Sequence, residues 1–386
     1  MLVRHLALSD FRNYETLDVE LVAGPNVFVG SNGQGKTNLV EAIGFLSTLG
    51  SHRVSTDAAL VRQGQESAIV RARLEHGDRA VLAEVQINRS GSNRAQINRS
   101  PIKVRELTRY FASVLFAPED LAIVRGEPSG RRRLLDELLV QRSPRFAGVI
   151  SDYDRALRQR NTLLKSARAT RISEAALSTL DVWDARLVEF GSELMAARGE
   201  LVAALSPRVG DAYATIAGAD HAASLATQLS IRSSRAADDD DLDLDAVSDV
   251  AIPREQAATE FAAALDRLRR TELERGLTLT GPHRDDLVLT LNGMPARTHA
   301  SHGESWSFAL AVKLAAASLL REESTAGDPV LVLDDVFAEL DEARRSRLAA
   351  AVGGFEQVLI TAAVLGDVPE ALAAHIVRIE AGRVVG

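Results

Sequence analysis

Gly30-Ser31-Asn32-Gly33-Gln34-Gly35-Lys36-Thr37 is a complete G-x-x-x-x-G-K-S/T phosphate-binding loop. The apolar run Val27-Phe28-Val29 leads into it and Asn38-Leu39-Val40-Glu41-Ala42-Ile43 leads away. That pattern reads as strand, loop and helix, the setting that makes the motif credible. The chemistry accounts for each residue type. Glycines let backbone N–H groups close around phosphate oxygens, and the helix N-terminus adds partial positive charge. Lys36 reaches the β- and γ-phosphates, and Thr37 offers its hydroxyl to Mg²⁺. The stretch predicts an α/β fold with a nucleoside triphosphate site.

The 386 residues around this loop can bury a substantial core. Single cores stop growing near ~250–300 residues, so two domains are expected. The chain has no cysteine, which excludes a disulfide scaffold and a thiolate metal site. Its first residues carry a charge in their middle and no extended apolar core, so no secretory signal is expected. The longest apolar stretch, 308 to 320, is broken by Lys313 and falls short of the ~20 residues that span a bilayer. A cytoplasmic protein with no membrane association follows as the expectation. A net charge of −8 argues against indiscriminate binding to polyanions and leaves a local basic patch open.

Residues 2 to 8 and 17 to 29 read as two strands joined by Phe11-Arg12-Asn13-Tyr14. Arg12 and Asn13 then sit one hairpin from the nucleotide and either contact its base or ribose or form a polar turn. Residues 68 to 74, 80 to 88 and 94 to 98 look like a strand meander, in which Gln-Ile-Asn-Arg-Ser occurs twice, at 86 to 90 and 96 to 100. From Arg125 to Arg171 basic residues dominate, Arg131, Arg132 and Arg133 among them. Apolar positions at steps of three, four and seven over 173 to 206 predict a long helix that Pro207 ends. The acid run from Asp238 to Asp245 cannot pack and predicts an exposed, flexible loop near 236 to 250. Residues 254 to 275 resume a helix closed by Gly276. The whole of 120 to 275 therefore reads as a helical arm inserted into an α/β head formed by 1 to 119 and 276 to 386.

The second part of the head carries the other functional signals. Gly281-Pro282-His283-Arg284-Asp285-Asp286 is a tight, charged turn before a strand, and Ser301-His302-Gly303-Glu304 opens a helix with Ser301 as its N-cap. Val330-Leu331-Val332-Leu333 has the continuous apolar character of a strand buried on both faces, and it ends in Asp334-Asp335. Functional groups in such sheets stand at the carboxyl ends of strands. Asp334 is therefore a candidate Mg²⁺ partner, and Asp335 a candidate to orient or deprotonate the attacking water. Val358-Leu359-Ile360 predicts another buried strand, whose end brings Thr361 near the same face.

These motifs, together with Phe116-Ala117-Pro118-Glu119-Asp120 and Phe337-Ala338-Glu339-Leu340-Asp341, follow the order found in the RecF family of bacterial recombination mediators, which the chain resembles over nearly its whole length. The resemblance implies an ABC-type P-loop ATPase head related to SMC heads, in which a mixed sheet with flanking helices is joined to an antiparallel strand subdomain and carries a helical arm. It implies ATP and Mg²⁺ as cofactors. Lys36 and Thr37 would hold phosphate and metal, Asp334 would support the metal, and Asp335 would serve hydrolysis. Ser301, Gly303 and Glu304 would form a signature that contacts ATP on a second subunit. Two departures stand out: Glu304 replaces the usual Gln, and Trp306 a basic residue. A carboxylate near a γ-phosphate is unfavourable unless it points away. Thr361 stands where most ABC ATPases have a His.

The implied function is ATP-dependent DNA binding in recombinational repair, DNA replication and the SOS response. ATP would close a homodimer on double-stranded and gapped DNA, and partner mediators of the RecR and RecO type would help it load recombinase. A weak, DNA-stimulated ATPase would reset the switch, since Asp335 is one methylene shorter than the Glu of many relatives. Arg131, Arg132 and Arg133 are the candidate DNA contacts; the arm's charge could instead be a solvated face paired with the acid run. The alternative, a nucleotide-binding subunit of an ABC transporter, predicts a short domain between loop and signature, and the long stretch from Lys36 to Ser301 disfavours it.

Overall fold

The pattern before the phosphate loop resolves into three strands. β1 (Leu2–Phe11) and β2 (Tyr14–Glu20) pair antiparallel, with Phe11 opposite Tyr14 at the tip. Gly24, at φ +78°, then redirects the chain, so that β3 (Gly24–Val29) leaves the hairpin for a different sheet. The single expected strand over 17 to 29 is thus two strands. After the loop, α1 (Lys36–Thr48) is followed by the expected meander β4 (Ser67–His76), β5 (Arg79–Asn88), β6 (Arg94–Ile97) and β7 (Ser100–Ile102). With the first hairpin these form a six-stranded sheet in the order β2-β1-β4-β5-β6-β7, antiparallel throughout. Alternate residues Ala68, Val70, Ala72 and Leu74 of β4 are fully buried, as a sheet with one covered face requires. The repeated pentapeptide takes two shapes: Gln86 to Asn88 stays in β5, whereas Asn98 and Arg99 turn the chain at φ +50° and +67°. β8 (Ser113–Phe116) follows.

The computed structural model describes residues 1–170, 177–218, 221–233, 243, 246–324 and 327–385. The chain then runs through α2 (Leu121–Arg125), α3 (Pro128–Arg142), α4 (Phe146–Thr170), α5 (Leu177–Ala217), β9 (Ser224–Gln228), β10 (Val247–Ser248), α6 (Arg254–Arg275), β11 (Asp286–Leu291), β12 (Met294–Pro295), α7 (Ala296–His299) and α8 (His302–Glu323). Pro207 lies inside α5 and does not end it. A mid-helix proline costs about 3 kcal/mol, and here the apolar stripe continues past it, with Leu205, Val209, Tyr213 and Ile216 all nearly or fully buried. The acid run lies outside the described residues apart from Asp243, which accepts a hydrogen bond from the Ser233 hydroxyl at 2.7 Å.

Two compact units result: Met1–Leu121 with Asp211–Asp220 and Trp306–Gly386, and Ala122–Gly210 with His221–Ser305. The division differs from the boundaries at 119 and 276 read from the sequence. The stretch after Gly276 stays with the inserted unit because β11 pairs with β9, Asp286 opposite Gln228. The inserted unit therefore holds a four-stranded sheet, β10-β9-β11-β12, as well as helices.

The last segment supplies β13 (Val330–Asp334), α9 (Glu342–Val352), β14 (Gln357–Ala362), β15 (His375–Glu380) and β16 (Arg383–Val385). They complete a mixed sheet of order β16-β15-β3-β14-β13-β8, parallel except at β16. Every residue of β13 and β14 is buried, which explains the apolar runs 330–333 and 358–360 within them. The register sets Asp334 beside Thr361, and Thr361 beside Phe28 at the end of β3. One edge of the sheet thus gathers the phosphate loop, the aspartate pair and Thr361.

Candidate nucleotide site

The loop is shaped by its own glycines. Gly33 and Gly35 have φ of +81° and +115°, and a Cβ at Gly35 would lie 2.7 Å from the Asn13 amide and 2.8 Å from the Tyr14 hydroxyl. A side chain at Gly30 would run into the carbonyl oxygen of Ile379. Lys36 opens α1 and is 3% exposed; its ammonium donates to the carbonyls of Gly30 at 2.7 Å and Ser31 at 3.2 Å, bridging the mouth of the loop. Gln34 is clasped by the turn between β15 and β16. Its carbonyl accepts the Gly382 N–H at 3.1 Å, and its side-chain oxygen accepts the Ala381 N–H at 2.5 Å. Ser31, Asn32 and Gly33 make the outer rim.

Beneath the loop, Asp334 is 2% exposed. One of its oxygens accepts hydrogen bonds from the hydroxyls of Thr361 at 2.5 Å and Thr37 at 3.1 Å. Burial pushes its carboxyl up to about 6, and the charges of Asp335 and Glu119 add to that, against the two hydroxyl bonds. Asp335 follows in the left-handed region at φ +51°, and its N–H donates to Thr361 at 2.9 Å. Its buried Oδ1 has no hydrogen-bond partner among the described residues, and buried polar atoms without partners are rare. Two hard oxygen ligands, an unmet carboxylate oxygen and a glycine-lined cradle fit a magnesium-bound triphosphate. Bound there, the metal would neutralise charge on the transferred phosphoryl group. Thr37 and Asp334 would hold it, and Asp335 has the spare acceptor that a positioned water needs.

Arg12 and Asn13 are placed against the loop, with most of their polar capacity already committed. Arg12 forms a bidentate pair with Glu41 of α1 at 2.7 and 2.8 Å, and also reaches the Ala59 carbonyl. Burial alone would raise Glu41, but hydrogen bonds from Arg12 and Ser51 and the charges of Arg12 and Arg53 hold its carboxyl below the ordinary value. Asn13 donates to the Gln34 carbonyl at 3.2 Å and accepts from Asn38 at 2.7 Å. Both residues brace the loop from the hairpin tip, and neither contact was legible without the fold. Sequence reasoning gave Glu41 no role, and Glu119 entered only as part of the 116–120 stretch that carries the family resemblance. A carboxylate one helical turn inside a phosphate-binding helix is the only signal that marked Glu41.

In the second unit, Ser301 is exposed and caps α8 in a reciprocal arrangement. Its hydroxyl accepts the Glu304 N–H at 3.3 Å, while the Glu304 carboxylate accepts the Ser301 N–H at 2.7 Å. This is a capping box, S-x-x-E, and it explains the glutamate: the carboxylate turns back on its own helix terminus, where its charge also suits the helix dipole. Gly303 follows Ser301 within this first turn. Arg125, which no motif flagged, holds the segment by donating to the Ala300 carbonyl at 2.9 Å and the Ser305 hydroxyl at 3.0 Å. Trp306, of the first unit, is 5% exposed and packs edge-on against Phe116 at 5.6 Å. It is a core residue and not a surface substitute for a basic one.

The three arginines proposed as a surface patch require a correction. Arg131 is 3% exposed and forms a bidentate pair with Asp286 at 2.7 Å, with further bonds to the carbonyls of Ile123 and Gly126. Arg132 donates to the Asp285 carbonyl at 2.8 Å. Arg198 reaches the Pro282 carbonyl at 2.7 Å and pairs with Asp136. These guanidiniums are the clasp of the 281–286 turn, and Arg131 pairs with its Asp286 carboxylate. Only Arg133 of the three is exposed, and it forms an i,i+4 pair with Glu137. Local composition could not show this, because Asp286 lies far along the chain from Arg131.

Comparison with known proteins gives the family. The family described as RecF/RecN/SMC N terminal domain matches residues 2–381. The "DNA replication and repair protein RecF" of Clavibacter sepedonicus is 65% identical over 387 residues, covering 100% of this chain and 95% of its own. That of Leifsonia xyli subsp. xyli is 61% identical, covering 100% and 99%. Among solved structures, the recombination mediator protein RecF with ATPrS, described as part of the RecFOR pathway, superposes with a TM-score of 0.86 at 27% identity, covering 99% and 97%. A Pyrococcus furiosus Smc head superposes at 0.53 and 17% identity, covering 99% and 95%, a likeness of fold alone. The fold is an ABC-type ATPase head.

Proposed function

The chain belongs to the RecF family, and from that premise we propose that it is an ATP-driven switch of DNA replication and recombinational repair. ATP closes a homodimer, the closed form holds double-stranded DNA near single-strand gaps, and slow hydrolysis releases it. One observation carries the reading: Thr37, Asp334 and Thr361 are hydrogen-bonded together under the phosphate loop, with Asp335 presenting an unmet oxygen beside them. That arrangement, at the carboxyl ends of parallel strands, supports the reading of a metal and water site. The related RecF structures with ATP and its analogue support ATP as the ligand. No helix among the described residues is long and apolar enough to cross a membrane.

The side chains divide the work. Lys36 exchanges its two loop carbonyls for phosphate oxygens, and the loop amides and helix terminus take the rest of the charge. Thr37 and Asp334 hold Mg²⁺, and Asp335 orients the attacking water and takes up its proton. Ser301 and Gly303 of a second copy meet the triphosphate from the other side, with Glu304 turned away in its capping box. This makes nucleotide the glue of the dimer. The arm offers DNA its exposed cations, Arg133, Arg145 and Arg155, and mediators of the RecR and RecO type complete the loading of recombinase.

Sedimentation with and without ATP, repeated for Lys36→Arg and with gapped DNA, tests the switch. The wild type is expected to dimerise only with ATP, and Lys36→Arg to remain monomeric. Turnover should lie below ~10 s⁻¹, an ordinary enzyme median, because the short Asp335 side chain positions water less well. A dimer indifferent to nucleotide overturns the mechanism.

A further inference from the structure

We propose that Thr361 is a positioning residue that ties the metal-holding carboxylate of Asp334 to the backbone of Asp335, the residue that faces the attacking water, through a single hydroxyl. The inference rests on the reading of this edge as a site of ATP hydrolysis. Thr361 is fully buried on β14, directly beside Asp334 in the parallel register. A hydroxyl has one proton and two lone pairs. The proton goes to Asp334 at 2.5 Å, and a lone pair receives the backbone N–H of Asp335 at 2.9 Å.

Asp335 needs that second bond. A residue other than glycine in the left-handed region costs about 1–2 kcal/mol, and Asp335 sits there at φ +51°, ψ 23°. As the N-cap of a helical turn, its N–H has no partner within that turn. Its Oδ1 has no partner among the described residues, so that oxygen does nothing to fix the side chain's direction. The backbone anchor from Thr361 does so in its place. Thr37 donates to the same oxygen of Asp334, at 3.1 Å, but makes no bond to Asp335. Among the described residues Thr361 alone is hydrogen-bonded to both, so metal holding and water positioning share one support.

Valine at 361 keeps the shape and the strand preference while removing the hydroxyl. The test compares wild type, Thr361→Val and Thr361→Ser in the full chain. Three quantities are read: affinity for Mn²⁺ as a Mg²⁺ probe with a non-hydrolysable ATP analogue, affinity for that analogue without metal, and kcat for ATP. Loss of a supporting hydrogen bond behind a metal ligand typically weakens metal binding ~10–100-fold. Thr361→Val is expected to lose about that much in Mn²⁺ affinity and a comparable factor in kcat, with metal-free binding of the analogue unchanged. Thr361→Ser should recover most of both. Thr361→Ala replaces the valine variant if that one does not fold.

A Thr361→Val chain with wild-type Mn²⁺ affinity overturns the proposal, whatever its kcat, because the two functions would then not share a support. A serine variant as impaired as the valine one overturns it as well, since the effect would be steric. If the wild type itself fails to hydrolyse ATP with Mg²⁺, the reading of the edge as hydrolytic falls. The Mn²⁺ comparison then still decides whether Thr361 supports the metal ligand.

Discussion

Asp334 and Asp285 are both buried, and both carboxyls are pushed up to about 6, with burial the largest cause in each. Their surroundings differ in sign. The largest charge effects on Asp334 come from Asp335 and Glu119, which push it further up against the hydroxyl bonds of Thr361 and Thr37. Asp285 is opposed by the Ser230 amide and hydroxyl and by the guanidiniums of Arg198 and Arg132. The first is met chiefly by hydroxyls and like charges, and the second is a carboxylate inside a finished network of amide, hydroxyl and guanidinium partners. A perturbed pKa points to both places; only the balance of partners separates the candidate metal site from a clasp that holds a turn.

The sharpest way to break that distinction is to neutralise each carboxylate. Asp334→Asn should reduce ATP hydrolysis on the order of 10³-fold, since it removes the metal's anionic support. Asp285→Asn should leave the rate close to wild type. Steady-state turnover for the two variants decides the matter, and equal losses would mean that the clasp is part of the active site.

The arginine partners of the clasp come next. Removing one member of a buried, hydrogen-bonded pair costs about 3–5 kcal/mol because it strands the other charge, so Arg131→Ala should lower unfolding stability by about that amount. Arg133→Ala, on the surface, should change stability by less than about 0.5 kcal/mol and reduce the salt slope of duplex binding by about one unit. Urea unfolding and DNA titrations at several salt concentrations read both. An Arg131→Ala chain of unchanged stability but weakened DNA binding would restore Arg131 as a surface contact.

This contrast also shows what the sequence could carry. The phosphate loop was legible because its function requires consecutive residues, and the Asp334-Asp335 pair because a strand buried on both faces must be apolar up to its functional end. The arm was not, because guanidinium partners are chosen across the fold: Arg131 meets Asp286, and Arg198 meets Asp136. The strand pairing of β9 with β11 moved the domain boundary for the same reason. Pro207 misled because helix propensity is a weak prior against a continuous buried stripe. Glu304 was legible as a departure from the family pattern, but its meaning needed the observed bond back to the Ser301 amide.

The pH dependence of stability separates the two aspartates without any assay of activity. A carboxyl raised above its ordinary value contributes stability that is fully present below that value and lost as pH rises through the folded value. For each aspartate the window runs from the usual carboxylate range up to about 6. At about 1.4 kcal/mol per unit, each group accounts for at most about 3 kcal/mol across it. Asp285→Asn should remove one share of this slope from unfolding measured between acid and neutral pH without nucleotide. Magnesium with a non-hydrolysable ATP analogue should cancel the other share, because the metal favours the charged form of Asp334 and binds only the folded chain. The two changes should therefore add. A metal complex that flattened the whole profile by itself, leaving nothing for Asp285→Asn to remove, would show that Asp285 responds to the nucleotide site and is not a separate clasp.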